Sequence, residues 1–362
     1  MKKSAFIAIL FTAMSSCAFA QSTPIDSLQF IDASGMVKIN QIPSAPGYQR
    51  LANTYKDEVR PPVWKLSLNS AGIAIRFRSN ANMIAARWVL KFNSMMSHMA
   101  YTGIKGLDLY ALENGQWQYV RTAIPQNKKE NENIILRNGA DVEREYMLYL
   151  PLYDGVDSLW IGINKGAYIK EPANSDMLDK KPVVYYGSSI AQGGCASRTG
   201  MAFTNILSRE LHRPFINLGF SGNGKSEAPI GKAMNEVDAA LYVLDCNPNS
   251  EPGIIYDRTV ALVHQLKQAH PSTPVLMVEG YLYENGYFDE KMHPLNRAKN
   301  KESKRAYDHL IASGVKGLYY IHGTDFIGTD HEGTVDGVHP TDVGMERIAE
   351  SLKGMIEKII NN

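Results

Sequence analysis

Hydrophobic and polar residues alternate with a period of two through the first half of the chain. Ile73-Ala74-Ile75-Arg76-Phe77-Arg78 and Ala86-Arg87-Trp88-Val89-Leu90-Lys91-Phe92 show the pattern most cleanly, and further runs cover 107–112, 117–124, 146–152 and 158–163. Period two sends successive side chains to opposite faces of a strand. Turn clusters such as Glu113-Asn114-Gly115 and Asp154-Gly155 separate the runs, and no amphipathic helix is evident among them. The pattern predicts an all-β domain over 28–170, a sandwich or jelly roll. A hydrophilic stretch, 171–181, reads as a linker.

Beyond the linker the periodicity changes. Short apolar runs at 183–186, 215–218, 240–244, 274–278 and 318–321 alternate with helical patterns at 200–212, 256–270, 301–313 and 342–360. The last helix carries Met345, Ile348, Leu352, Met355, Ile356 and Ile359 at helical spacing. Buried strands separated by helices predict a parallel, doubly wound sheet, so 182–362 is expected to be a three-layer α/β domain. At 362 residues, 44% hydrophobic and 21% charged, the chain can bury two such cores.

The first 20 residues change the picture of where the chain works. Lys2 and Lys3 precede an apolar run from Ala5 to Met14, and Ala18-Phe19-Ala20 precedes Gln21. These are the parts of a secretory signal peptide, and the run is too short for a permanent membrane span. Export to the periplasm or beyond is the expectation. Met14-Ser15-Ser16-Cys17 resembles a lipobox, which would instead lipidate and retain Cys17. Methionine stands where such motifs carry leucine, so cleavage after Ala20 is the favoured outcome. Cleavage removes two lysines and no acid, taking the formal charge from +1 to −1, which argues against a nucleic-acid partner. Cys195 and Cys246 then remain. They make no disulfide framework, and the sequence holds no metal-ligand spacing. One bridge between them is conceivable, with two buried thiols the favoured alternative.

Two chemistries compete in the second domain. Gly219-Phe220-Ser221-Gly222-Asn223-Gly224-Lys225-Ser226 satisfies the phosphate-loop pattern, and a later strand ends in Asp245, as a magnesium-holding strand does. That loop needs a helix starting at the Gly-Lys step to aim its N–H groups at phosphate. Pro229, four residues on, opposes such a helix. The other chemistry starts from Pro182–Gly193. There an apolar strand stops at Gly187-Ser188-Ser189, which would lift a serine above the carboxyl edge of the sheet. Before the last helix, Asp336-Gly337-Val338-His339 spaces an aspartate so that it can turn back onto the imidazole, as a catalytic triad requires. Ser221-Gly222-Asn223 and Asp245-Cys246-Asn247-Pro248-Asn249 follow two other strands. All four segments can meet on one edge.

In this combination the chain resembles the SGNH (GDSL) hydrolases. Gly187-Ser188-Ser189-Ile190 is similar to their first block, with Ser188 where aspartate is usual. Asn217-Leu218-Gly219-Phe220-Ser221-Gly222 is similar to the second block. Asp245–Asn249 departs from the usual letters of the third, and Asp336 and His339 match the fifth. Gly106-Leu107-Asp108-Leu109-Tyr110 resembles the Gly-x-Asp-Leu-Tyr motif of a bacterial subgroup with an N-terminal β-domain. The resemblance implies a flavodoxin-like hydrolase domain and a serine esterase needing no cofactor or metal. Ser189 would be the nucleophile, with His339 as base and Asp336 orienting it. The oxyanion hole would take the N–H groups of Ser189 and Gly222 and the amide of Asn249, or of Asn247 as the alternative. An O-acyl group on a small molecule or oligosaccharide, acetyl on carbohydrate above all, is the expected substrate. A glycan-binding module with a vestigial hydrolase domain is the competing reading. The methionine-rich stretch 94–103 lacks strand alternation, and its His98 and Tyr101 are expected to face substrate at the domain seam.

Overall fold

The structure is a computed structural model and describes residues 24–173 and 177–361. The expected signal segment and Cys17 lie outside the described residues, as do 174–176 within the expected linker.

Among the described residues, the alternating half forms two antiparallel sheets from ten strands. These are β1 (Gln29–Asp32), β2 (Val37–Ile39), β3 (Ala74–Ser79), β4 (Ile84–Leu90) and β5 (Leu107–Glu113), then β6 (Gln116–Ala123), β7 (Glu130–Leu136), β8 (Arg144–Tyr149), β9 (Val156–Ile163) and β10 (Ile169–Lys170). One sheet has the order β1-β9-β4-β7; the other runs β10-β3-β8-β5-β6, with β2 added beside β3. Alternation works as expected. Ile75, Phe77, Trp88, Leu109, Leu148 and Ile161 fill the space between the sheets, while Ala74, Tyr110, Met147 and Tyr149 point the other way into a second cluster. Tyr110 and Tyr149 there face the second domain: Arg198 bonds the Tyr110 hydroxyl, and the Tyr149 hydroxyl reaches the Asn205 carbonyl.

Two short helices that alternation concealed break this half, α1 (Pro61–Ser67) and α2 (Tyr101–Lys105). Prolines in the first turn of α1 suit a helix start, where the missing N–H costs nothing.

The second half carries five parallel strands: β11 (Val183–Gly187), β12 (Phe215–Gly219), β13 (Leu241–Asp245), β14 (Val275–Val278) and β15 (Leu318–Ile321). Their order, β12-β11-β13-β14-β15, is the flavodoxin-like one. The helices are α3 (Ser189–Gln192), α4 (Phe203–Glu210), α5 (Ala228–Met234), α6 (Pro252–Ala269), α7 (Met292–Ala312) and α8 (Asp342–Ile360). Val183, Tyr185, Leu241 and Val243 pack under α4 and α8. Val184, Tyr186, Tyr242 and Leu244 pack under α5, α6 and α7. That second layer also takes Ile42, Leu51, Tyr55, Val59 and Val63 from the N-terminal half.

Pro229 does not prevent a helix. It sits in the first turn of α5, which begins three residues after Lys225. The phosphate-loop geometry is absent all the same, because the Gly224 N–H is turned inward to the Phe220 carbonyl and Asn249 Oδ1.

Candidate active site

β11 delivers its last residue, Gly187, to the carboxyl edge of the sheet, and the chain turns at once into α3. Ser188 caps that helix. It is fully buried, and its hydroxyl accepts the Ile190 N–H at 3.3 Å. Ser189 is the first helical residue and keeps its hydroxyl for another partner, His339 Nε2 at 2.9 Å. The carbonyl of Ser189 accepts the Gly194 N–H at 2.8 Å and the Tyr153 hydroxyl at 3.1 Å. Tyr153 comes from the β-domain side, so both halves of the chain hold this turn.

His339 stands in the loop before α8. Its Nδ1 lies 2.8 Å from Asp336 Oδ2, while Asp336 Oδ1 accepts the N–H groups of Val338 at 3.0 Å and His339 at 2.7 Å. Gly337 turns the chain with φ +85°, and a Cβ there would come within 2.9 Å of Asn285 Cβ, so glycine is demanded twice over. Partial burial pushes the Asp336 carboxyl upward. The two N–H groups and the imidazole outweigh it and hold the group below its usual range. The Tyr281 hydroxyl pins the loop from behind by donating to the Val338 carbonyl at 2.5 Å.

The loop after β12 folds down beside this turn. Ser221 N–H donates to Gln192 Oε1 at 3.0 Å, and Gly222 takes φ +68°. Asn249 Oδ1 accepts the Gly224 N–H at 3.1 Å, which fixes the amide so that its nitrogen is the free end. Asn247 is committed elsewhere, with its Nδ2 toward Asn300 Oδ1 at 3.5 Å. Among the described residues, the N–H groups of Ser189 and Gly222 and the amide nitrogen of Asn249 donate to no acceptor. Three unmatched donors therefore accompany the serine–histidine–aspartate chain.

The β-domain reaches the same edge. His98 stacks obliquely on His339, ring centroids 5.6 Å apart. Tyr101 does not join it: its hydroxyl goes to Met95 Sδ at 3.2 Å and Lys105 Nζ sits 4.2 Å over its ring. Cys195, also near His339, is a buried free thiol with φ +72°, and burial raises it to about 12. Cys246 is a second buried free thiol, beneath the Tyr186 carbonyl at 3.7 Å.

A model of the GDSL-like lipase/acylhydrolase family matches residues 180–357, and a model of the GxDLY N-terminus of SGNH-hydrolase-type esterases matches 28–169. A solved structure from Bacteroides ovatus, described as a GDSL-like lipase, is 38% identical, covers 92% of this chain and 98% of its own, and superposes with a TM-score of 0.88. The chain belongs to the GDSL-like lipase/acylhydrolase family.

Membership carries the coarse activity class, ester hydrolysis. Two more distant structures share the fold. A salicylyl-acyltransferase from a tetracycline biosynthetic pathway is 15% identical, covers 92% of this chain and 98% of its own, with a TM-score of 0.76. An acetyl xylan esterase from the rumen bacterium Butyrivibrio proteoclasticus is 10% identical, covers 92% and 100%, with a TM-score of 0.57. A search of curated proteins gives no match.

In this family member the Gly-x-Asp-Leu-Tyr motif works as a clamp, a role that residue types alone do not disclose. Asp108 is fully buried on β5. Its Oδ2 accepts Arg198 Nη1 at 2.8 Å and the Gly200 N–H at 2.7 Å, and its Oδ1 accepts the Thr122 hydroxyl at 2.6 Å. Arg198 Nη1 also reaches the Tyr110 hydroxyl at 2.7 Å. The motif thus grips 198–200, which follows directly on the Ser189–Cys195 turn. Gln192 reinforces the seam, donating to Asn69 Oδ1 at 3.1 Å and the Leu152 carbonyl at 3.0 Å. A pairing of Asp108 with an arginine 90 positions away has no signature in sequence spacing.

Proposed function

We propose that the protein is an exported serine esterase that removes O-acyl groups, acetyl first among them, from carbohydrate. The observation that carries this reading is the hydrogen-bonded chain from Ser189 through His339 to Asp336, set beside three donors that have no partner among the described residues. Ser189 Oγ attacks the ester carbonyl as His339 Nε2 takes its proton, and Asp336 holds the imidazole tautomer and stabilises the imidazolium. The oxyanion is received by the N–H groups of Ser189 and Gly222 and the amide of Asn249. Backbone donors already in position need no reorganisation as charge develops. The leaving alcohol takes the proton from His339, and water then releases the acyl group by the same route in reverse.

Acetyl on carbohydrate is supported by the rim and by the fold neighbour named an acetyl xylan esterase. The almost fully exposed Phe288 follows Asn285, whose N–H donates to the Gly337 carbonyl at 3.2 Å, while Tyr287 packs edge-on against His293 and His331. Exposed aromatic faces suit apolar sugar-ring surfaces. His98 adds a polar group on the opposite domain. Export follows from the first 20 residues, with cleavage after Ala20 ahead of lipidation at Cys17.

The test is acetate release from acetylated oligosaccharides alongside p-nitrophenyl acetate and long-chain p-nitrophenyl esters. Acetylated oligosaccharides should give the highest kcat/KM among acyl donors. Phe288→Ala and His98→Ala should raise KM for them more than for p-nitrophenyl acetate. Faster turnover of long-chain esters than of acetylated sugars would overturn the substrate assignment.

A further inference from the structure

His98, Cys195 and His339 come from three separate stretches: the methionine-rich loop of the β-domain, the turn after α3 and the loop before α8. One nitrogen from each imidazole and the thiol sulfur all lie within 4.8 Å of one another. Two imidazoles and a thiol are a donor set for a borderline-soft cation and a poor one for magnesium or calcium, which take oxygen. The second shell is also present. Asp336 holds Nδ1 of His339 at 2.8 Å, as carboxylates do for zinc-bound histidines, and so turns Nε2 outward as the donor.

We propose that these three side chains form a Zn²⁺ site that switches the enzyme off. Zinc holds nitrogen at about 2.0–2.1 Å and sulfur at about 2.3 Å, which sets tetrahedral donors about 3.5 Å apart. From separations within 4.8 Å the cluster must therefore close by up to about 1 Å. His98, exposed on its loop, is the freest of the three to move, while Cys195 is buried and His339 is held by Asp336. Coordination expels the thiol proton to solvent and occupies the lone pair of His339 Nε2. That lone pair, 2.9 Å from Ser189 Oγ, is the one the serine's proton must reach. Metal and proton compete for one site, so the bound enzyme is inactive. The inhibition rests on the mechanism proposed above; the binding site does not.

Cobalt tests the two parts separately. One equivalent of Co²⁺ added to the full chain should give a thiolate-to-cobalt charge-transfer band in the near ultraviolet, which Zn²⁺ displaces. Cys195→Ser should lack the band, and Ser189→Ala should keep it. Zn²⁺ should inhibit p-nitrophenyl acetate hydrolysis reversibly, with chelator restoring the rate and Mg²⁺ having no effect. For Cys195→Ser and His98→Gln, each referred to its own metal-free rate, the Zn²⁺ needed for half inhibition should rise about tenfold or more. Absence of the band, a band without loss of activity, or wild-type Zn²⁺ sensitivity in both variants would overturn the site or its inhibitory role. Activity retained by Ser189→Ala would sink the serine mechanism instead, with the cobalt band still reporting on the site.

Discussion

Ser188 and Ser189 are neighbours with hydroxyls turned in opposite directions, one closing a helix end and one meeting an imidazole. Ser189→Ala should therefore lower kcat by on the order of 10⁴-fold or more while leaving the fold intact. Ser188→Ala should keep most turnover and lose about 1 kcal/mol of stability as a lost cap. Labelling by a fluorophosphonate probe, lost in the first variant and kept in the second, checks both, and labelling of Ser189→Ala would reverse the assignment. The two asparagines after β13 separate in the same way. Asn249→Ala should cost about 10²–10³ in kcat with KM little changed, whereas Asn247→Ala should show mainly as a lower melting temperature. A larger kcat loss at Asn247 would exchange their roles. The sequence placed Ser189, Asp336 and His339 because each belongs to a short local motif. It ranked Asn249 ahead of Asn247 by resemblance alone, because the contacts that distinguish them, Gly224 for Asn249 and Asn300 for Asn247, are tertiary. The grouping of His98, Cys195 and His339 was illegible for that reason: a cluster assembled from three loops has no spacing to read.

Strands and helices were legible in proportion to how simply they pack. The five parallel strands are apolar on both faces and appear in sequence as continuous runs. The helix α8 declares itself through one apolar stripe and the Thr341 cap, whose hydroxyl accepts the Gly344 N–H. Several elements escaped, among them α1, α2, β7 and α5. The strand β7, at the edge of its sheet, begins Glu130-Asn131-Glu132-Asn133, where charge guards an open edge instead of marking a pattern. The helix α5 is short and opens with a proline that reads as a breaker away from its context. The strand β13 carries a testable consequence at its end. Burial raises the Asp245 carboxyl to about 8, and the Tyr185 hydroxyl, 3.1 Å from Oδ2, offsets this only in part. An unfolded aspartate titrates near 3.9. Between those values the folded chain holds a proton that the unfolded chain has released, so this group lowers stability as pH rises from about 4 to about 8. Asp245→Asn lacks the titration. The melting temperature of the variant should gain on wild type steadily between pH 5 and pH 8; a constant offset across that window would refute the buried, raised carboxyl.

At the scale of the molecule, the alternating half and the strand–helix half do not meet as two finished bodies. Arg50, 2% exposed, is the staple between them. It donates to the carbonyls of Leu66 and Asn69 at 2.7 and 3.0 Å, and to those of Gly219 and Asn217 across the seam at 2.6 and 3.2 Å. Its guanidinium lies 4.9 Å from the Phe220 ring, and burial lowers its pKa to about 9. Arg50→Ala leaves several buried carbonyls without a donor and should cost about 3 kcal/mol or more. In calorimetry both halves should melt in one transition that the substitution moves as a whole. Two transitions, of which only one shifts, would count against a shared core. None of this was legible in the sequence, because 42–63 covers the sheet with irregularly spaced apolar residues and little regular structure. The staple also has a history in time. Arg50 precedes its partner Asn217 by 167 positions, and a ribosome adding about 5–20 residues per second needs roughly 10–30 s to cover that distance. For that interval the emerging chain carries Leu51, Tyr55 and Val63 with no surface to cover, so its first half cannot reach its final form until its second half has been made.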